Sequence, residues 1–194
     1  MKTRILLATL VGSALLLAQS LVAADSKFEA KCPVSGKAAK ESSTVDFNGG
    51  KVQFCCDNCP TAFKADTKKF AAKAALQMLG TGQLMQVACP LSGKACNPEQ
   101  STEIDGVKIG FCCGNCKGAV EKAEDKVAKA LGGDKALANG FTAQTKCPVS
   151  GKAIDVSKTV DYKGQKVYFC CGNCPAAFEK DPSKFTAKLP QLTK

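Results

Sequence analysis

The feature that most constrains this chain is a cysteine frame written three times. A cysteine opening "CPVSG" or "CPLSG" is followed, 22 residues on, by "FCC", then two further residues and a last cysteine. The frame begins at Cys32, Cys89 and Cys147, at spacings of 57 and 58 residues, with no insertion between its cysteines. Self-similarity at a fixed period of this length marks a chain assembled from repeated supersecondary units. Twelve of the 13 cysteines belong to the frame, four per repeat, and Cys96 stands outside it.

Between its cysteines each repeat predicts the same elements. Val45 and Phe47 alternate with polar residues, "NGG" marks a turn, and Val52 and Phe54 resume the alternation, which is the pattern of a β-hairpin. Ile104, Gly106, Val107, Ile109 and Phe111 repeat it, as do Val160, Tyr162, Gly164, Val167 and Phe169. After the last cysteine the apolar period becomes helical: Phe63 and Phe70 correspond to Val120 and Val127, and to Phe178 and Phe185. Pro60 and Pro175 suit a first helical turn. The expected fold class is therefore small α+β, three tandem modules of knuckle, hairpin and helix at 25–83, 84–141 and 142–194. The segments "LGTG" and "LGGDKALANG" read as linkers. Units of about 50 residues with few large apolar side chains seldom fold unaided, and disulfides or a metal usually complete them.

The N-terminus predicts the compartment. Lys2 and Arg4 precede an apolar run from Ile5 to Leu17, and Val22-Ala23-Ala24 fits a cleavage site. Residues 1–24 are expected to be a signal peptide cut after Ala24, giving a periplasmic or secreted chain with no membrane span once the leader is gone. The net charge of +10 falls to +8 without Lys2 and Arg4. Lysines are scattered and aromatic residues few, so no stacking platform for bases is formed and nucleic acid is not an expected partner.

There is no histidine, which excludes Cys/His zinc sites and histidine-based catalysis. Paired catalytic carboxylates and a nucleophile with its base are also missing, so no enzyme is expected. "SGK" after each first cysteine lacks the glycine spacing of a phosphate loop and reads as a knuckle turn.

The combined pattern resembles the YHS and TRASH families. "CPVSG" comes first, Cys32, Cys55 and Cys59 keep a C-x22-C-x3-C spacing, and "FCC-x-x-C-x-x-x-F" closes the unit. Those families are small treble-clef modules associated with heavy-metal binding, trafficking and sensing, and the resemblance covers nearly all of the mature chain. It implies treble-clef-like modules with a metal ion as ligand and another metal-trafficking protein as partner. Three copies behind a signal peptide set this chain apart from the families' most familiar members.

A treble clef offers two ligands from its knuckle and two from its helix start. Here the second knuckle position is Ser35, Ser92 or Ser150, so one thiolate is missing from each. The adjacent Cys56, Cys113 or Cys171 would restore four sulfurs. The expected ligand sets are Cys32, Cys55, Cys59 with Cys56; Cys89, Cys112, Cys116 with Cys113; and Cys147, Cys170, Cys174 with Cys171. A helix N-terminus beside these thiols favours the thiolate. Four thiolates suit zinc, and three with a loose fourth suit copper(I), one ion per repeat.

Three other readings compete, one of them a nucleic-acid-binding zinc module, against which the scattered lysines and few aromatic residues speak. Export favours a disulfide-stapled scaffold without metal, since four cysteines per unit can form two bridges. "CDNC" and "CGNC" also match a thioredoxin-like CxxC, although no βαβ context surrounds them. The frame offers no role for Cys96 beyond a free thiol or spare ligand.

Overall fold

The computed structural model of the protein describes residues 28–192, so the leader expected at 1–24 lies outside the described residues. The three hairpins form where the alternation predicts, and their turns show why. Asn48-Gly49, Asp105-Gly106 and Lys163-Gly164 all have positive φ, 46° and 83°, 49° and 82°, and 51° and 76°. Two successive left-handed residues make the tight turn whose twist matches that of the strands it joins.

In the first repeat β1 (Lys40–Phe47) pairs antiparallel with β2 (Gly50–Phe54), Val45 facing Val52. A register shift between Lys40 and Thr44 carries the start of β1 back to Phe54. Because Phe54 ends β2, the hairpin register decides where Cys55 and Cys56 stand. Then follow α1 (Asn58–Ala65), α2 (Thr67–Gly80) and the short β3 (Met85–Gln86).

The second repeat has β4 (Asn97–Ile104), β5 (Val107–Phe111), α3 (Gly114–Glu121), α4 (Lys126–Leu131) and α5 (Asp134–Gly140). After β6 (Phe141–Thr142), the third has β7 (Asp155–Tyr162), β8 (Gln165–Phe169), α6 (Cys174–Lys180) and α7 (Ser183–Thr186). The result is a small mixed α/β structure of short antiparallel sheets and helices. Among the described residues no helix is long and apolar enough to cross a membrane.

The helices depart from the sequence reading in two ways. The helical period through Phe63 and Phe70 is cut at Asp66, whose carboxylate accepts from the Lys69 N–H and caps α2. Asp125 does the same for α4 through the Ala128 N–H. A side-chain acceptor for an unpaired first-turn N–H outweighs continuation of the preceding helix. The segment "LGGDKALANG" is also no linker. It supplies the buried end of α4 at Leu131 and the whole of α5, with Gly133 at φ 112° as the break between them.

Aromatic packing ties the helix to its hairpin in the first and third repeats. Phe63 meets Phe47 and Phe54 edge-on at 5.5 and 5.3 Å, and Phe178 meets Tyr162 and Phe169 at 5.2 and 5.5 Å. Val120 fills the same position in the second repeat and is fully buried. Full burial of one such side chain stabilises by about 1.5–3 kcal/mol. The first two repeats share one core, with α2 packed on α4, whereas the third has a core of its own. The segments leading into repeats two and three pair as β3 with β6, Met85 facing Thr142. Gly140 allows this approach, since a Cβ there would lie 2.8 Å from Pro90.

Candidate metal centres

Each repeat brings its first cysteine to the end of its hairpin. In the knuckle the Cys32 N–H donates to Lys37 O at 2.7 Å and the Gly36 N–H returns to Cys32 O at 2.8 Å. Gly36 closes that loop at φ 73°, and Gly93 and Gly151 take the same conformation at 70° and 74°. The glycine of "CPVSG" is thus a turn requirement rather than part of a phosphate loop.

The sulfurs of Cys32, Cys55 and Cys59 all lie within 4.8 Å of one another, as do those of Cys89, Cys112 and Cys116, and of Cys147, Cys170 and Cys174. Cys55 and Cys59 are 3.6 Å apart, and the pairs Cys112–Cys116 and Cys170–Cys174 are both 3.7 Å. Two sulfurs on a tetrahedral ion with Zn–S near 2.3 Å stand about 3.8 Å apart. The three-sulfur groups therefore fit an ion each. Cys32, Cys89 and Cys147 are buried, and the site's other members are buried or half-buried.

Cys56, Cys113 and Cys171 do not join the mutually close triplets and are exposed. They remain beside them: Cys56 Sγ is 3.8 Å from Cys55 and 3.5 Å from Cys59, and Cys171 is 3.4 Å from Cys174. In the second repeat Cys113 Sγ is 3.7 Å from Cys112. No disulfide links any of the 13 cysteines in the structure.

The electrostatics separates the members of each triplet. Burial pushes the Cys32 thiol up, but hydrogen bonds from Ser35 Oγ and the amides of Cys55, Ser35 and Val34 outweigh it, and the pKa falls to about 6. The same balance lowers Cys89 to about 7 and Cys147 to about 6. Burial raises Cys59, with thiol contacts to Cys56, Cys55 and Cys32 adding to it, and raises Cys116 and Cys174 to about 12. One sulfur per site is thereby held ready as thiolate, and a second gives up its proton only to a strong competitor such as a cation.

Glutamines are the residues that the sequence reading missed. Gln77 Nε2 donates to Lys31 O and Gln53 O, both at 2.8 Å, while its Oε1 accepts from the Gln53 N–H at 2.7 Å. Gln86 binds Ala88 O, Gly110 O and the Gly110 N–H in the same way. Gln144 binds Lys146 O, Tyr168 O and the Tyr168 N–H. Each carboxamide joins the residue just before the first cysteine to the strand that ends in the vicinal pair. It is the clamp that brings distant sulfurs together. Gln86 and Gln144 stand three residues before their first cysteines, a shared position that signals their role. The first repeat has Glu29 there and takes its glutamine from α2 instead.

Cys96 belongs to none of the three-sulfur groups among the described residues. It is half-buried, 3.5 Å from Gln86 Nε2, and burial raises its thiol. A cleft of about 950 Å³, bordered by Phe47, Met78, Phe141 and Tyr168, includes no cysteine in its lining. A smaller pocket of about 150 Å³ has Cys32 in its lining, beside Phe28, Lys31 and Leu76.

The chain matches no family model, no curated protein and no solved structure. The chemistry of the sulfurs therefore carries the functional reading.

Proposed function

We propose that this is an exported soft-metal-binding protein that holds one zinc or copper(I) ion in each of three all-sulfur sites and serves metal trafficking, storage or resistance. In each, Cys32, Cys55 and Cys59 or their equivalents anchor the ion, and Cys56, Cys113 or Cys171 is the nearest further ligand. The modules are read as treble clefs of the YHS and TRASH type, and the protein as a binder rather than an enzyme. Its partner on this reading is another metal-trafficking protein.

One observation carries the proposal. Sulfurs from a knuckle and from a helix start, 23 residues apart in the chain, converge to within 4.8 Å in all three repeats. Soft thiolates select zinc and copper(I) over hard cations.

Native mass spectrometry of the reduced chain with zinc or copper(I) tests this. Three ions per chain are expected, falling to two in Cys59→Ser. A reduced chain that binds fewer than three at saturation would overturn the proposal.

A further inference from the structure

The same sulfurs admit a second pairing. Cys56 and Cys59 are 3.5 Å apart, and Cys171 and Cys174 are 3.4 Å apart. In each pair the first thiol is exposed and the second buried. The turn between them is already set, since the Cys59 N–H donates to Cys56 O at 3.3 Å. A disulfide needs sulfurs about 2.05 Å apart, so closure requires about 1.4 Å of sulfur movement, within reach of a side-chain rotation.

Competing pairings are worse placed. Cys55 and Cys56 are consecutive, with Cα atoms about 3.8 Å apart, short of the roughly 4.4 Å that disulfides span at least. Cys32 is 1% exposed and closed to a disulfide arriving from solvent. Cys55 is only half-exposed, and its sulfur is engaged by Ser35 Oγ at 3.1 Å.

We propose that Cys56–Cys59 and Cys171–Cys174 are redox-active dithiols that exchange with small-molecule disulfides of the glutathione class, and that their oxidation withdraws one sulfur from the metal site. Only the second half of this statement rests on the metal-binding reading. The exposed Cys56 sulfur attacks one sulfur of the disulfide RSSR. A Cys56 S–SR bond forms, the S–S bond of RSSR breaks, and the first RS⁻ leaves. Cys59 then attacks Cys56 Sγ, the Cys56–Cys59 bond forms, and the second RS⁻ leaves. The protein gives up two electrons and RSSR accepts them. The two thiol protons pass to the leaving thiolates, giving two RSH. Where Cys59 holds a metal its proton has already gone, and solvent supplies the second. Afterwards the ion retains only Cys32 and Cys55 of its anchors.

The test uses the reduced full chain, metal-free and zinc-loaded, treated with oxidised glutathione. Differential alkylation with fragment mass spectrometry locates the bridges, and a chromophoric chelator reads released zinc. The metal-free chain is expected to form Cys56–Cys59 and Cys171–Cys174 bridges while Cys55 and Cys170 still alkylate. Zinc release, as a fraction of what each chain carries, is expected to be at least tenfold faster than in Cys56→Ser/Cys171→Ser. A metal-free chain that forms no bridge, or bridges Cys55 first, overturns the dithiol. Release equally fast in the double variant overturns its link to the metal. A chain that takes up no zinc defeats the metal reading alone, because the metal-free bridge map still decides this one.

Discussion

Ser35 Oγ lies 3.1 Å from Cys55 Sγ, a contact that joins the knuckle to the vicinal cysteines across twenty residues of chain. Ser92 and Cys112 repeat it at 3.2 Å, Ser150 and Cys170 at 3.0 Å. Each serine also accepts from the N–H two residues on, at 3.3 Å. The hydroxyl is therefore fixed in place, and toward a metal-bound thiolate it can only donate. The knuckle position without a sulfur supports the sulfurs that are present.

Ser35→Ala removes that donor. Hydrogen bonds to charged groups contribute about 1.5–3 kcal/mol, so affinity at the first site is expected to fall roughly tenfold or more. Ser35→Cys adds a sulfur at the same place and is expected to tighten binding. Competition against a chromophoric zinc chelator measures both, and an unchanged Ser35→Ala affinity would remove the serine from the site.

Gln144→Leu leaves the Tyr168 N–H, Tyr168 O and Lys146 O without their partner. The two buried Tyr168 groups each cost about 1–3 kcal/mol when unsatisfied, so a loss of about 2 kcal/mol or more is expected. Weakened zinc uptake confined to the third site should accompany it. Uptake unchanged at all three sites would show that the carboxamide does not set sulfur convergence.

Phe63→Ala and Phe178→Ala should each cost about 3–5 kcal/mol, but in different places. Phe63 belongs to the core shared by repeats one and two, Phe178 to the separate core of repeat three. Hydrogen exchange is expected to show β4 and β5 loosening with Phe63→Ala and not with Phe178→Ala. Cys147→Ser should likewise be felt only in the third repeat. Uniform loosening of all three by Phe178→Ala would contradict separate cores.

Without metal, stability should depend on pH. Cys32, Cys89 and Cys147 are lowered on folding from 9.0 to about 6, 7 and 6. A depressed folded pKa contributes stability that is complete above the unfolded value and is lost as pH falls through the folded one. The reduced, metal-free chain is thus expected to unfold at lower denaturant at pH 6 than at pH 9. Above 9.0 the sign reverses, because Cys59, Cys116 and Cys174 are raised, and that stabilisation is lost as pH climbs toward their folded values. A midpoint that falls between pH 6 and pH 9 would contradict this balance.

What could be read from the sequence was what is local. Alternation placed the strands, Asn48-Gly49 and its counterparts placed the turns, and the period after the last cysteine placed Phe63, Val120 and Phe178 in the cores. The repeated frame named the sulfurs although the first lies 23 residues from the vicinal pair, and the fold brings three of each four mutually close with the fourth beside them. Two things were not legible. Asp66 and Asp125 read as ordinary surface acids until the capped N–H groups are seen. The glutamine clamp escaped comparison of the repeats because one copy enters from a different element, so no column of the aligned repeats contains all three.

That displaced glutamine gives the first repeat a different history on the ribosome. Repeats two and three have already been issued their clamps, Gln86 and Gln144, when their last cysteines emerge. Gln77 emerges 18 residues after Cys59, roughly one to four seconds later at about 5–20 residues per second. For that interval the nascent first repeat has its hairpin and knuckle residues but not the carboxamide that joins them, and it is the one copy whose clamp is made after its last cysteine.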